Sequence, residues 1–263
     1  MDKIGFIGMG NMGKALLKGA LKKMPAEHFL FSEKHLTKEL ISQTGVKGIS
    51  DNAQCVKEAK YIFLAVKPQY FGEVADDIRG CVTKDKIIIS IMAGVTIDGL
   101  KKALGSEARI VRVMPNTPAL VEEGMSGVCF DASVYSEEEK ATVLGLLKVC
   151  GRVRVVEERM MSAVTCVSGS SPAYVYVFIE ALADSGVKYG LPRDMAYEMA
   201  AQTVLGAAKL VLETGEVPAA LKDKVCSPGG TTIAGIAALE EFGFRNAVIK
   251  ATDKCYEKAE NMK

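Results

Sequence analysis

The stretch from Lys3 to Gly13 constrains the fold of this chain more than any other. Ile4 to Ile7 is short and apolar, and it reads as a buried strand. Gly8, Gly10 and Gly13 follow at the spacing G-x-G-x-x-G, and from Lys14 to Lys22 apolar and basic residues alternate at helical spacing. Strand, glycine turn and helix form the context in which that spacing holds a dinucleotide. Gly8 allows the tight turn, Gly10 removes a side chain from the path of a pyrophosphate, and Gly13 lets the helix sit close on the strand. Met9, Asn11 and Met12 complete the candidate cofactor turn. The helix start offers backbone N–H groups and its positive dipole end to phosphate. The competing reading is a glycine-rich turn without a ligand, because the spacing alone is a weak signal.

Apolar stretches recur between helical ones as far as Val156. They cover Phe29 to Phe31, Val46 to Ile49, Tyr61 to Val66, Lys86 to Ile91, Arg109 to Val113, Ser126 to Phe130 and Arg152 to Val156. Runs without alternation, such as Tyr61 to Val66, suit strands covered on both faces, the mark of a parallel sheet. Helical stretches intervene at Leu36 to Thr44, Asn52 to Ala59, Tyr70 to Arg79, Ile97 to Leu104 and Ser136 to Cys150. After Val156 the strand signal fades into helices. The chain therefore reads as α/β: an N-terminal Rossmann-like doubly wound sheet in residues 1–156, then a C-terminal all-helical oligomerisation domain in residues 157–263. With 263 residues, 49% of them hydrophobic, two domains can each bury a core.

Charge excludes some partners. Lysine and arginine number 33 against 32 acidic residues, so neither nucleic acid nor a membrane surface is expected. Ile4 to Met9 is too short and glycine-rich for a signal peptide, and Tyr174 to Ala183, with Glu180 inside it, is too short to span a bilayer. The expectation is a soluble, cytoplasmic protein. Seven scattered cysteines without a C-x-x-C pair read as small buried residues, and no metal site is expected. Met195 to Leu212 is apolar around most of its circumference, so a second subunit is expected to cover part of it.

A cofactor site needs further walls. Ala65, Val66, Lys67 and Pro68 end one strand, Met92, Ala93 and Gly94 the next, and Asn116 stands after another. The carboxyl ends of strands face the ligand crevice in such sheets, although the same residues also serve as ordinary loop punctuation. At the second strand end, Ser32 and Lys34 suit a 2′-phosphate, whereas Glu33 suits a 2′-hydroxyl; the balance leans to NADPH, with NADH as the alternative. His28 and His35 flank that strand on the adenine side, and no lysine lies between Glu157 and Lys188, so a histidine or lysine base is not expected. Between two helices, Val225 to Thr232 carries Ser227, Pro228, Gly229 and Gly230. Such a turn binds a carboxylate or simply caps a helix.

Together these motifs resemble the pyrroline-5-carboxylate reductase family over nearly the whole chain. The resemblance rests on Gly5-Phe-Ile-Gly-Met-Gly-Asn-Met-Gly13, Phe63-Leu-Ala-Val-Lys-Pro68, Met92-Ala-Gly-Val-Thr-Ile97, Met114-Pro-Asn-Thr-Pro118, Val164-Thr-Cys-Val-Ser-Gly-Ser-Ser-Pro-Ala-Tyr174 and Leu221-Lys-Asp-Lys-Val-Cys-Ser-Pro-Gly-Gly-Thr-Thr232. It implies NAD(P)H-dependent reduction of 1-pyrroline-5-carboxylate to proline by a homodimer, with further assembly into a decamer. It implies that Thr232 contacts the ring nitrogen, that Gly230 and Thr231 hold the carboxylate, that Glu158 lines the ring pocket and that Asn52 belongs to the cofactor pocket. Lys224, where some members carry asparagine, and Ser171, often glycine, depart from the pattern. Reducing a cyclic imine suits a site without histidine, lysine or metal, because an iminium needs no strong general acid.

Overall fold

The computed structural model describes residues 2–262. Its eight strands are β1 Ile4–Ile7, β2 Phe29–Ser32, β3 Lys47–Ile49, β4 Tyr61–Leu64, β5 Ile87–Ser90, β6 Arg109–Met114, β7 Gly124–Cys129 and β8 Gly151–Val155. They form one sheet in the order β3-β2-β1-β4-β5-β6-β7-β8. The crossovers are α1 Asn11–Leu21, α2 Lys38–Thr44, α3 Asn52–Glu58, α4 Phe71–Ile78, α5 Ile97–Leu104 and α6 Glu137–Lys148. Side-chain oxygens of Thr37, Asp51, Thr96 and Ser136 accept from backbone N–H groups at the starts of α2, α3, α5 and α6.

The first six strands in the sheet order are mutually parallel, as expected. β7 departs from that reading and runs antiparallel to β6. Only a short irregular link with a 3-10 turn at Thr117–Val121 joins them, and a parallel crossover needs a longer connection, usually a helix. Composition marks an apolar strand but not its direction.

Alternate residues on each strand go to opposite faces. Phe6, Phe31, Phe63 and Ile89 lie in one buried cluster, and Ile7, Leu30, Ile62 and Ile88 in the other. Both faces are therefore covered, which explains the unbroken apolar runs. Phe6 and Phe63 stack with centroids 4.6 Å apart, tying β1 to β4 beneath the glycine turn.

By packing, the chain divides into Met1–Ser170 with Cys255–Lys263, and Ser171–Lys254. The break falls after Ser170, later than the expected one at Val156. Residues after Val156 stay with the first unit because Met161, fully buried, packs with Met114 and Cys129. There the chain passes through α7 Met161–Val164 and a π-helical turn at Thr165–Gly169. In the second unit, α8 Ser171–Lys188 and α9 Arg193–Thr214 form a helical hairpin, followed by α10 Pro218–Val225, α11 Thr231–Glu241 and most of α12 Phe244–Glu260.

In this single chain only Ala196 and Ala200 of α9 are buried, while Met199, Leu205 and Leu212 are each about half exposed. The run Glu158–Lys188, 31 residues, is long and apolar enough to cross a bilayer by length and composition alone.

Candidate active site

The glycine turn sits at the carboxyl end of β1. Gly8 has φ +93°, and a Cβ there would lie 2.8 Å from the Ala65 carbonyl oxygen. At Gly13 a Cβ would lie 2.5 Å from the Gly8 carbonyl oxygen. These two glycines are required by the protein itself. Gly10 differs, because a Cβ there would meet nothing within 4 Å. It caps α1 with extended backbone and no side-chain hydrogen bond, so the N–H groups at the start, Asn11 and Met12 among them, lack intrahelical carbonyls. A pyrophosphate fits this arrangement: unpaired donors, a positive dipole end, and open space where a side chain would stand.

Beside the turn lies a cavity of about 830 Å³, bordered by Gly8, Glu33, Lys34, Asn52 and Val66. That volume suits part of a dinucleotide. Glu33 Oε2 accepts the Met9 N–H at 2.8 Å, and the Gly8 N–H donates to the Ser32 carbonyl at 3.0 Å. Ser32 does not stand free for a phosphate: it is buried, and its hydroxyl donates to Asn52 Oδ1 at 2.7 Å. Asn52 Nδ2 in turn donates to Asp77 Oδ2 at 3.0 Å. Lys34 Nζ lies 3.6 Å from Glu73 Oε2. His35 borders the same cavity.

The remaining wall residues separate into two groups. Ala65, whose N–H donates to the Ile7 carbonyl at 2.8 Å, continues with Val66, Lys67 and Pro68 beside the turn, Lys67 preceding a 3-10 turn at Pro68–Tyr70. By contrast, the Met92 side chain is buried in the core, and a Cβ on Gly94 would lie 2.8 Å from Met262 Cβ. Gly94 is small because its own chain approaches it, with Ala93 between these two. Asn116 is also engaged within the protein: Oδ1 accepts the Met125 N–H at 2.8 Å and Nδ2 donates to the Ser168 carbonyl at 3.0 Å. Its side chain braces the π-turn instead of standing free for a cofactor.

Glu158 belongs to the first unit. Its Oε1 accepts the Ile97 N–H at 2.7 Å and Arg112 Nη1 at 3.0 Å. It borders a second cavity of about 580 Å³ with Ile97, Cys129 and Val156. Burial pushes the Cys129 thiol up to about 11, and the charge of Glu158 adds to the shift, so Cys129 stays protonated at neutral pH. Arg112, Asp77 and Glu73 were not singled out from sequence. Arg112 left a signal, being a charge inside the apolar strand Arg109–Met114, where it must find a partner.

The turn from Ser227 to Thr232 lies in the second unit, at the start of α11. Gly229 has φ +67°, and the Gly230 N–H donates to the Ser227 carbonyl at 3.0 Å. Gly230 therefore cannot offer that N–H to a carboxylate while the turn is closed. Thr231 and Thr232 open the helix after an uncapped Gly230, so their N–H groups have no intrahelical carbonyl. Lys224 pairs with Glu216.

Comparison with known proteins agrees with both halves. The family model for pyrroline-5-carboxylate reductase dimerisation matches residues 158–262, and one for coenzyme F420-dependent NADP oxidoreductase matches residues 3–94. The chain is 48% identical to a pyrroline-5-carboxylate reductase of Escherichia coli (strain K12), over 99% of this chain and 98% of that one. It is 40% identical to one of Arabidopsis thaliana, over 97% and 95%. A crystal structure of Plasmodium falciparum pyrroline carboxylate reductase with NADP bound is 35% identical and superposes with a TM-score of 0.90, covering 99% of this chain and 98% of that one.

Proposed function

The chain belongs to the pyrroline-5-carboxylate reductase family, and from that premise we propose how its residues divide the reduction of 1-pyrroline-5-carboxylate to L-proline, the last step of proline biosynthesis. It is an NAD(P)H-dependent oxidoreductase with a small-molecule substrate. The observation that carries the cofactor reading is Gly10, whose missing side chain leaves open space above an uncapped helix start. The substrate follows from the full-length relatives.

Gly10, Asn11 and Met12 hold the pyrophosphate at the open helix start, and Gly8, Met9 and Gly13 shape the turn that presents them. Lys34 and Asn52 border the adenosine end, with Ser32 fixing Asn52 from beneath. Ala65, Val66, Lys67 and Pro68 supply the wall. When bound, the reduced nicotinamide supplies the hydride that the imine carbon takes up. The substrate enters as its iminium, which already carries the proton that the product nitrogen keeps; its N–H donates to the Thr232 hydroxyl oxygen, while the N–H groups of Thr231 and Thr232 hold the substrate carboxylate, with Ser227, Gly229 and Gly230 shaping the turn. Glu158 acts on the ring pocket by anchoring the chain that borders it, because its Oε1 already holds Arg112 and Ile97.

The protein is a homo-oligomer. We assign the dimer to residues 157–263, where the exposed apolar surface of α8 and α9 needs cover, and infer further assembly into a decamer. A partner subunit, not lipid, covers Glu158–Lys188: the charges of Glu180 and Asp184 on that helix disfavour a bilayer. A cytoplasmic location accords with that reading. The test is oxidation of NADPH and NADH with pyrroline-5-carboxylate and, in parallel, with hydroxy acids. Turnover confined to the cyclic imine is expected; tight nucleotide binding without imine turnover overturns the reading.

A further inference from the structure

The wall of the nucleotide cavity carries more acid than base. Glu33, Glu73, Asp76 and Asp77 border it, against Lys34 and His35. Asp76 Oδ1 is paired with Arg79 Nη2 at 2.8 Å. Asp77 and Glu33 accept from neutral groups, the Asn52 amide and the Met9 N–H. Lys34 is the wall's ammonium, and its neighbour at 3.6 Å is Glu73, in the first turn of α4.

We propose that Glu73 is a specificity-determining residue: by holding the Lys34 ammonium it weakens binding of the 2′-phosphorylated cofactor relative to the unphosphorylated one. The proposal rests on reading this cavity as the adenosine end of the cofactor site. A 2′-phosphate brings close to two negative charges. In this cavity it would face Glu33 and Asp77 and would need Lys34, for which Glu73 competes. A 2′-hydroxyl is neutral and meets no such opposition, and an acidic side chain just past the second strand suits it. Lys34 and Glu73 are 81% and 74% exposed, so water and salt screen the competition. The pair therefore adjusts the ratio between cofactors.

Calorimetric titration of the full-length protein with 2′,5′-ADP and with 5′-AMP separates the phosphate from the rest of the nucleotide. Glu73→Gln is expected to tighten 2′,5′-ADP about threefold and to leave 5′-AMP unchanged. Lys34→Gln should weaken 2′,5′-ADP and abolish the effect of Glu73→Gln in the double variant. Salt at about 0.5 M should shrink the gain. Equal shifts for the two nucleotides, or a gain that survives Lys34→Gln, overturn the assignment. A wild-type chain that binds neither nucleotide would overturn the cavity reading itself, and the assignment with it.

Discussion

Arg112 and Glu158 pair at 3.0 Å, and the two partners are unequally placed: the arginine side chain is 3% exposed and the glutamate 36%. Arg112 Nε is buried without a partner, so Glu158 is the group that compensates this charge. The asymmetry gives a directional expectation. Glu158→Ala strands a buried guanidinium and should cost about 3 kcal/mol, whereas Arg112→Met leaves a carboxylate that water reaches and should cost less than half of that. The double variant should recover most of the loss. Urea unfolding of the three proteins at one protein concentration checks the order.

Gly10 and Gly13 should separate binding from folding. Gly13→Ala drives a methyl group against the Gly8 carbonyl and should destabilise by about 1–3 kcal/mol. Gly10→Ala meets no protein atom and should change stability by under about 1 kcal/mol, as a helix cap does. Its methyl group enters the phosphate path, so nucleotide affinity should fall at least about tenfold. Thermal melts and nucleotide titration on both variants decide; equal behaviour would contradict the reading of Gly10.

Thr232 should govern turnover and not cofactor affinity. A hydrogen bond with a charged partner contributes about 1.5–3 kcal/mol, so Thr232→Ala should lower kcat/KM by about 10- to 150-fold. Thr232→Ser should retain most activity, because the hydroxyl remains. If Thr232→Ala keeps near-full kcat/KM, the turn serves α11 only as a cap.

Much of this was legible in the sequence for a physical reason. Runs such as Tyr61–Leu64 and Ile87–Ser90 are apolar throughout because both sheet faces are covered, and α9 is bounded at Arg193–Thr214 by Pro192 and Gly215. The direction of β7 was not legible, since pairing partners set it. Nor were the engagements of Ser32, Asn116 and the Gly230 N–H. Residue type marks these groups as polar near a strand or helix end, but only packing decides whether they face a ligand or their own chain. Glu73 reaches Lys34 from a different crossover, which no local spacing encodes.

Acid should loosen the first unit through Glu139. Hydrogen bonding to Arg109 lowers its carboxyl from the ordinary 4.5 to about 2, aided by the Ser136 N–H. A depressed folded-state value stabilises above the unfolded value and loses that contribution as pH falls through about 2. Unfolding midpoints should therefore drop between about pH 5 and pH 2. Glu139→Gln should lower stability at pH 7 and flatten that acid limb; an unchanged limb would assign it to other carboxylates.

Leu205→Glu should break the oligomer without unfolding the chain, since Leu205 is 52% exposed within one protomer. Sedimentation should find smaller species with unchanged helix content. A variant that stays fully assembled would place the contact elsewhere on the helical unit.

Gly94, in the middle of the first segment of its structural unit, meets Met262 in the second, so this unit is not continuous in the sequence. That arrangement limits how the protein can be shuffled. A single recombination breakpoint after Val156 would separate β6 and β7 from the Met161 plug, and would leave the loop after β5 facing a foreign terminus. Chimaeras between relatives should tolerate breakpoints after Ser170 paired with a second near Cys255, and reject those at 156 alone.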